Sequence, residues 1–167
     1  MDRNLSLRPA GEADKTFLFE LFRTLREAWF DFQPGGHPQI TAVVKMQFEA
    51  REYALSGQYP GAENLIVMQD GVPVGRLMVQ RGAVRNGAGF CVADIAILPD
   101  HQRLGIGTAA MKELYAEAGR ANLPVLSRIA LTDLPLFHFY RSLGFEVTSE
   151  VAGHLRMEWQ AARSLDG

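Results

Sequence analysis

One stretch of this chain combines glycine spacing, a positive charge and a change of hydrophobic period. Gln102-Arg103-Leu104-Gly105-Ile106-Gly107-Thr108 follows an apolar run closed by Pro99 and opens a helical pattern. Two glycines at the start of a helix let backbone come close to a ligand. The first amides of a helix have no intrahelical partners and point outward. With the helix dipole they form an anion site, and Arg103 adds a cation beside it. A Walker loop would end in Gly-Lys-Ser/Thr, whereas Gly107-Thr108-Ala109 has no lysine. A dinucleotide fingerprint calls for a third glycine where Ala110 stands, and it opens a βαβ unit rather than following a run of hairpins. The plainer alternative is a tight strand-to-helix turn with no ligand.

Other residues could carry proton chemistry. Asp94 is the one charged residue in the apolar run Phe90–Leu98. Burial there would raise its pKa and suit it to accept a proton; equally, it could be a buried aspartate satisfied by backbone amides or a nearby arginine. Phe137 and Tyr140 stand three apart and share a helix face. His138 and His154 are weaker base candidates, since a lone histidine is more often structural. Cys91 reads as an inert core thiol. No Cys/His cluster has metal-ligand spacing, and no metal is expected.

The elements that position these groups follow from periodicity. Leu5–Arg8 alternates as a short strand ended by Pro9. Asp14 can cap a helix in which Phe17, Leu18, Leu21, Phe22, Leu25 and Trp29 recur at three- and four-residue steps, stopped by Pro34-Gly35-Gly36. A second helix is predicted from about Thr41 to Leu55, with Val44, Phe48 and Leu55 inward. Leu65–Met68 and Val72–Val79 form a hairpin about Asp70-Gly71. Gly82–Gly89 is a polar loop, and Phe90–Leu98 a central strand ended by Pro99. Gly107, Ala110, Met111, Leu114 and Ala118 make one helical stripe, ended by Gly119 and Asn122. Val125–Leu131 is a strand, Leu134–Leu143 a helix closed by Gly144, and Val147 with His154–Trp159 the last strands. Hairpins plus one strand–helix–strand crossover imply an α/β fold of the mixed α+β kind. Its mixed, mostly antiparallel sheet would have about seven strands and helices on both faces.

Composition fits this. The 167 residues suit one domain over 1–167 and can bury a real core. A net charge of −2 gives no reason to expect nucleic acid or an anionic membrane as partner. A single cysteine forms no intramolecular disulfide, which fits a reducing compartment. Met1-Asp2-Arg3-Asn4 lacks the pattern of a signal peptide, and no apolar run approaches the ~20 residues that span a bilayer. A cytoplasmic location is expected.

Gln102-Arg103-Leu104-Gly105-Ile106-Gly107 resembles the Gln/Arg-x-x-Gly-x-Gly/Ala signature of the Gcn5-related N-acetyltransferases, the GNAT family. Asp94-Ile95-Ala96-Ile97-Leu98-Pro99 is similar to that family's fourth strand. Phe139-Tyr140-Arg141-Ser142-Leu143-Gly144-Phe145 is similar to its Leu-Tyr-x-x-x-Gly-Phe helix end. The element order matches from Leu5 to Trp159. The resemblance implies acetyl-CoA as acyl-donor co-substrate, its pantetheine arm entering where the fourth and fifth strands splay at a bulge. That bulge is expected near Ile97 and Leu98, whose backbone groups would bind the arm. Gln102, Arg103, Leu104, Gly105, Ile106, Gly107 and Thr108 would hold the pyrophosphate, and Phe137 and Tyr140 would lie against the cofactor. The asparagine that often precedes the family's tyrosine is absent, Asp133-Leu134-Pro135-Leu136 standing there instead.

The implied reaction is acetyl transfer to a primary amine by direct attack, with a free N–H near Leu98 as oxyanion donor, Tyr140 serving the leaving thiolate and Asp94 the amine proton. An unperturbed tyrosine (pKa ~10) is a weaker acid than a thiol (~8.5), so Tyr140 acts at least as a hydrogen-bond donor. The end of the first helix, with Trp29, Phe30 and Phe32, and the Pro34–Gln39 loop could line the acceptor pocket. The partners expected are a small-molecule or peptide amine acceptor, with a homodimer admitted. A non-catalytic acyl-CoA-binding sensor or interaction module on the same fold is the alternative.

Overall fold

The computed structural model describes residues 4–30, 38–81, 83–84 and 87–161. In chain order the elements are β1 (Leu5–Pro9), α1 (Lys15–Phe30), α2 (Pro38–Gln58), β2 (Glu63–Gln69), β3 (Val72–Gln80), β4 (Ala83–Val84), β5 (Gly87–Ala88), β6 (Phe90–Ile97), α3 (Ile106–Ala121), β7 (Val125–Ala130), α4 (Leu134–Ser142), β8 (Glu146–Val151) and β9 (His154–Trp159). The predicted loop 82–89 contains the small hairpin β4–β5. α2 begins three residues before the predicted Thr41, at Pro38, a residue suited to a first helical turn. The predicted stop at Pro34-Gly35-Gly36 lies outside the described residues.

Seven strands form one sheet in the order β1-β2-β3-β6-β7-β9-β8. Every neighbouring pair is antiparallel except β6–β7, which is parallel because α3 carries the chain across between them. α3 and α4 cover one face. There Ala110, Met111, Leu114 and Tyr140 pack with Val67, Val79, Val92 and Met157. On the other face Leu55 of α2 and Tyr59 just after it pack with Met78 and Cys91. Val44 and Leu55 point inward as predicted. Burial pushes the Cys91 thiol up to about 11.

Two irregularities in β6 shape the molecule. First, Met78 pairs with Asp94 and Val79 with Val92, so Ala93 is an extra residue, a bulge on the β3 side. The bulge shifts the alternation. Phe90 and Val92 belong to the core under α3, Cys91 and Ala93 to the α2 side, and beyond the bulge Ile95 and Ile97 pack under α3 again. Second, β6 and β7 pair only over Phe90–Val92 and Val125–Ser127. Past Val92 they diverge, while Arg128–Ala130 stay paired with β9. A V-shaped opening results, its apex at Val92 and Ser127. The bulge is therefore at Ala93 and not near Ile97 and Leu98, where the sequence reading puts it.

At the N-terminal end, Arg8 and Asp14 form a two-pronged ion pair with both N···O distances 2.8 Å. Gly11 N–H also donates to Asp14 at 2.8 Å. The guanidinium of Arg8, with the Gly11 amide next, holds the Asp14 carboxyl down at about 2. Asp14 thus ends a short 3-10 turn that leads into α1.

Candidate functional site

A cleft of about 1150 Å³ crosses the mouth of the V, from the start of α3 to the inner sides of α1 and α2. At its α3 end the chain leaves β6 through Pro99 and turns twice, with His101 N–H donating to Leu98 C=O and Gln102 N–H to Pro99 C=O. Arg103 (φ 61°) and Gly105 (φ 80°) then take left-handed backbone conformations. Gly105 is the residue before the helix, and its φ is one that only glycine adopts without strain. The Ile106 side chain is buried in the core and anchors the helix start. Ala109 N–H gives the first intrahelical hydrogen bond, to Gly105 C=O. The amides of Ile106, Gly107 and Thr108 precede it and stand at the positive end of a 16-residue helix. Gly105, Gly107 and Thr108 line the cleft with Arg103, while Leu104 is exposed beside it. A Cβ on Gly107 would come within 3.2 Å of the Phe139 ring and 3.9 Å of Ile97, so glycine keeps this part of the cradle open.

The strand under the loop is set by its hydrogen bonds. Leu98 N–H donates to Val74 C=O at 2.9 Å. The expectation of a free amide at Leu98 is therefore wrong: β3 uses it. By alternation along the strand, Ile95 and Ile97 turn their N–H and C=O to the opposite edge, the one β7 has left. Gln102 reaches back with Nε2 to Ile97 C=O at 2.9 Å, hooking the loop onto the end of β6. Gly75 opposite Ile97 makes the crossing tight, since a Cβ there would meet Ala96 O at 2.5 Å.

Tyr140 is 1 % exposed and does not reach the open cleft. Its ring packs edge-on against Phe145, with centroids 4.8 Å apart. Its hydroxyl lies beside Ser127, the last β7 residue paired to β6. It therefore sits at the apex of the V, where burial pushes its pKa up. Phe137, expected to lie against the cofactor beside Tyr140, packs against the core, as Phe139 does; Phe139 and His138 also line the cleft. Asp133 caps α4 by accepting from Leu136 N–H at 3.2 Å, in the segment where an asparagine is often found.

At the other end of the cleft the charged groups are paired. Asp94 accepts from Arg51 Nη2 at 2.9 Å and lies 3.6 Å from Arg76 Nη1. Arg76, buried in β3, also holds both carboxylate oxygens of Glu52 on α2 and gives Nε to Asn64 at 2.8 Å. Of the two readings of Asp94, the arginine-satisfied one is what this geometry builds. Leu18, Leu21, Phe22 and Phe48 form the apolar wall above. The side chains of Trp29 and Phe30, together with residues 31–37, lie outside the described residues. His154 is away from the cleft, beside Arg128 on β7. Sequence reasoning missed Arg51, Glu52 and Arg76. The signal was present: an arginine inside one apolar strand and an aspartate inside the next require each other. Among the described residues no three His, Cys, Asp or Glu side chains converge, and no helix is long and apolar enough to cross a membrane.

The sequence pattern of the Acetyltransferase (GNAT) family matches residues 20–145. No curated protein matches the chain. Among solved structures, it is similar to the PaiA N-acetyltransferase of Thermoplasma acidophilum in complex with coenzyme A (TM-score 0.68, 14% identity, 95% of this chain and 99% of that one). It is similar to the ribosomal-protein-S18-alanine N-acetyltransferase of Escherichia coli (TM-score 0.60, 16% identity, 96% and 98%). A third similar structure is YncA of Salmonella typhimurium with its cofactor acetyl-CoA (TM-score 0.56, 22% identity, 94% of each).

Proposed function

The chain belongs to the acetyltransferase (GNAT) family, and from that premise we propose that it moves an acetyl group from acetyl-CoA to a primary amine by direct attack. The observation that carries the reading is the divergence of β6 and β7 directly beneath a glycine-opened helix start. An extended amide-containing arm fits, as an added strand, the edge of Ile95 and Ile97 that β7 leaves, where the Ile97 carbonyl already accepts from Gln102, and a diphosphate fits the amides of Ile106–Thr108 beside Arg103. When bound, acetyl-CoA supplies an acyl group activated as a thioester. Tyr140 holds a proton at Oη at the apex, buried beneath the cleft, so a leaving thiolate meets it only where the end of the arm enters between β6 and β7. Its raised pKa keeps it protonated across the working range. The amine enters from the α1–α2 side, over the Arg51–Asp94 pair. Asp94 is a candidate for the amine proton only if the arginines release it, and Asp94→Asn with turnover intact would assign that proton to solvent.

One group of observations favours a second reading, a non-catalytic acyl-CoA-binding module. The Leu98 amide and the Asp94 carboxylate have partners within the protein, and the Tyr140 hydroxyl is buried. Two measurements separate the readings. A thermal-shift panel should show stabilisation by acetyl-CoA and CoA, about 2.7 kcal/mol at a hundredfold excess over Kd, with ATP and NAD inert. Acetyl-CoA turnover against an amine library should then find an acceptor. Binding without turnover favours the module, and no CoA-dependent shift overturns both.

A further inference from the structure

The acceptor end of the cleft holds an ion pair that is only half used. Arg51 gives Nη2 to Asp94 Oδ1 at 2.9 Å. Its Nε and Nη1 have no partner among the described residues, and its side chain is 46 % exposed on the cleft wall. A guanidinium carries donors in a fixed fork and takes a carboxylate two-pronged. Asp94 is half used in the same way. Its Oδ2 accepts no hydrogen bond among the described residues. Arg76 Nη1 lies 3.6 Å from it, but Arg76 already donates to Glu52 and Asn64. A cation and an anion with open valences therefore stand side by side in the cleft.

Two opposite charges so close are the reverse image of a molecule with a carboxylate and an amine on one carbon. The carboxylate meets the open fork of Arg51, and an amine N–H donates to Asp94 Oδ2. We infer that the acceptor is a free α-amino acid with an apolar or aromatic side chain. The side-chain preference comes from the wall above. There Phe22 of α1 and Phe48 of α2 touch, with ring centroids 5.6 Å apart, and Leu21 extends the apolar surface. A diamine fits badly, because Arg76 holds both oxygens of Glu52 and a second ammonium finds no open carboxylate. A peptide N-terminus has no carboxylate beside its amine and leaves Arg51 unanswered. In the transfer the amine nitrogen bonds the acetyl carbon, the C–S bond breaks, and the proton lost by nitrogen balances the one gained by the thiol. The inference rests on the acetyltransferase reading and adds to it the class of acceptor.

The test compares leucine and phenylalanine with their α-amides and with 1,4-diaminobutane in acetyl transfer from acetyl-CoA. kcat/KM for each acid should exceed that for its amide at least roughly tenfold, the size of a lost hydrogen bond to a charged group. The amide's amine is the weaker base and is more often neutral, so a preference for the acid cannot come from the amine. Arg51→Met should bring acid and amide within about threefold of each other by lowering the acid, and Arg51→Lys should restore part of the difference. If Arg51 only holds Asp94 in place, acid and amide fall together, and that outcome overturns the carboxylate contact. Amides or the diamine turned over as well as the acids overturn the proposal and leave the acetyltransferase reading standing. If nothing turns over while CoA binds, calorimetry of both amino acids on the CoA-bound protein decides. Binding weakened about tenfold or more by Arg51→Met supports the site, and no binding overturns it. A protein that binds no CoA defeats the acetyltransferase reading and this one with it.

Discussion

On the α3 side of the cleft the ligand-facing groups are chiefly main-chain ones, the amides of Ile106–Thr108 and the edge of Ile95 and Ile97 that β7 leaves, with Arg103 beside them. On the α1–α2 side they are side chains, the paired Arg51, Asp94, Arg76 and Glu52 under Leu21 and Phe22. The two halves constrain sequence differently. A site made of backbone needs only residues that leave the backbone reachable, so its demands fall on Gly105 and Gly107. A site made of side chains needs each partner to be present, and losing one strands the others. The first half can serve one fixed ligand while the second is free to change with the acceptor.

The largest effect is expected between the halves, at the apex. Tyr140→Phe keeps the ring on Phe145 and removes the hydroxyl. By analogy with loss of an oxyanion donor, ~2–4 kcal/mol of transition-state stabilisation goes, a turnover loss of roughly 30- to 1000-fold. Steady-state kinetics should show KM for both substrates nearly unchanged; unchanged turnover would remove Tyr140 from the chemistry. Next comes the side-chain half. Arg76→Met leaves Glu52 without its partner and weakens the hold on Asp94, and should destabilise the fold by about 2 kcal/mol by denaturant titration. Calorimetric acetyl-CoA affinity should stay within threefold. A tenfold loss there would mean the halves are not separable.

The backbone half is tested by Gly107→Val. The added carbons meet Phe139 and fill the cradle, so acetyl-CoA affinity should fall roughly tenfold or more while the fold persists. Affinity within twofold of the parent would move the diphosphate elsewhere. The smallest effect lies outside both halves. The folded Asp14 carboxyl sits below its ordinary value of 3.8, at about 2. Its contribution is therefore complete above pH ~4 and is lost as pH falls through about 2. Melting curves of the parent and Asp14→Asn should differ at pH 5 and converge toward pH 2. A gap that stayed constant with pH would assign the difference to something other than this charge.

Much of this molecule is legible in the chain because glycine, proline and periodicity speak of the backbone directly. The loop at Gly105, the helix stripe Ala110–Ala118 and the end of α4 at Gly144 are local facts, and residues within a few positions decide them. Phe137 and Tyr140 share a helix face in sequence, yet Phe139 is the ring of α4 that meets Gly107 on α3 and lines the cleft, a contact between two helices that spacing within α4 does not show. Leu98 could not be judged from its surroundings in sequence. Whether its amide is free depends on Val74, 24 positions away in the chain. The arginine partners of Asp94 come from α2 and β3, and pairing across such distances leaves only the hint of two opposite charges in neighbouring apolar strands.

Ala93 carries a consequence that concerns length rather than chemistry. Because the strand alternates sides with every residue, one extra residue works as a half-step that changes the phase of everything after it. Asp94 is on the α2 side, within reach of Arg51, and Ile95 and Ile97 are under α3, only because the count is one longer than the partner strand requires. Substituting Ala93 by another small residue leaves that count intact. Deleting it would keep every functional residue in the chain and turn Asp94 toward the α3 core and the isoleucines toward α2. At this point of the chain a lost codon is a far graver change than an altered one.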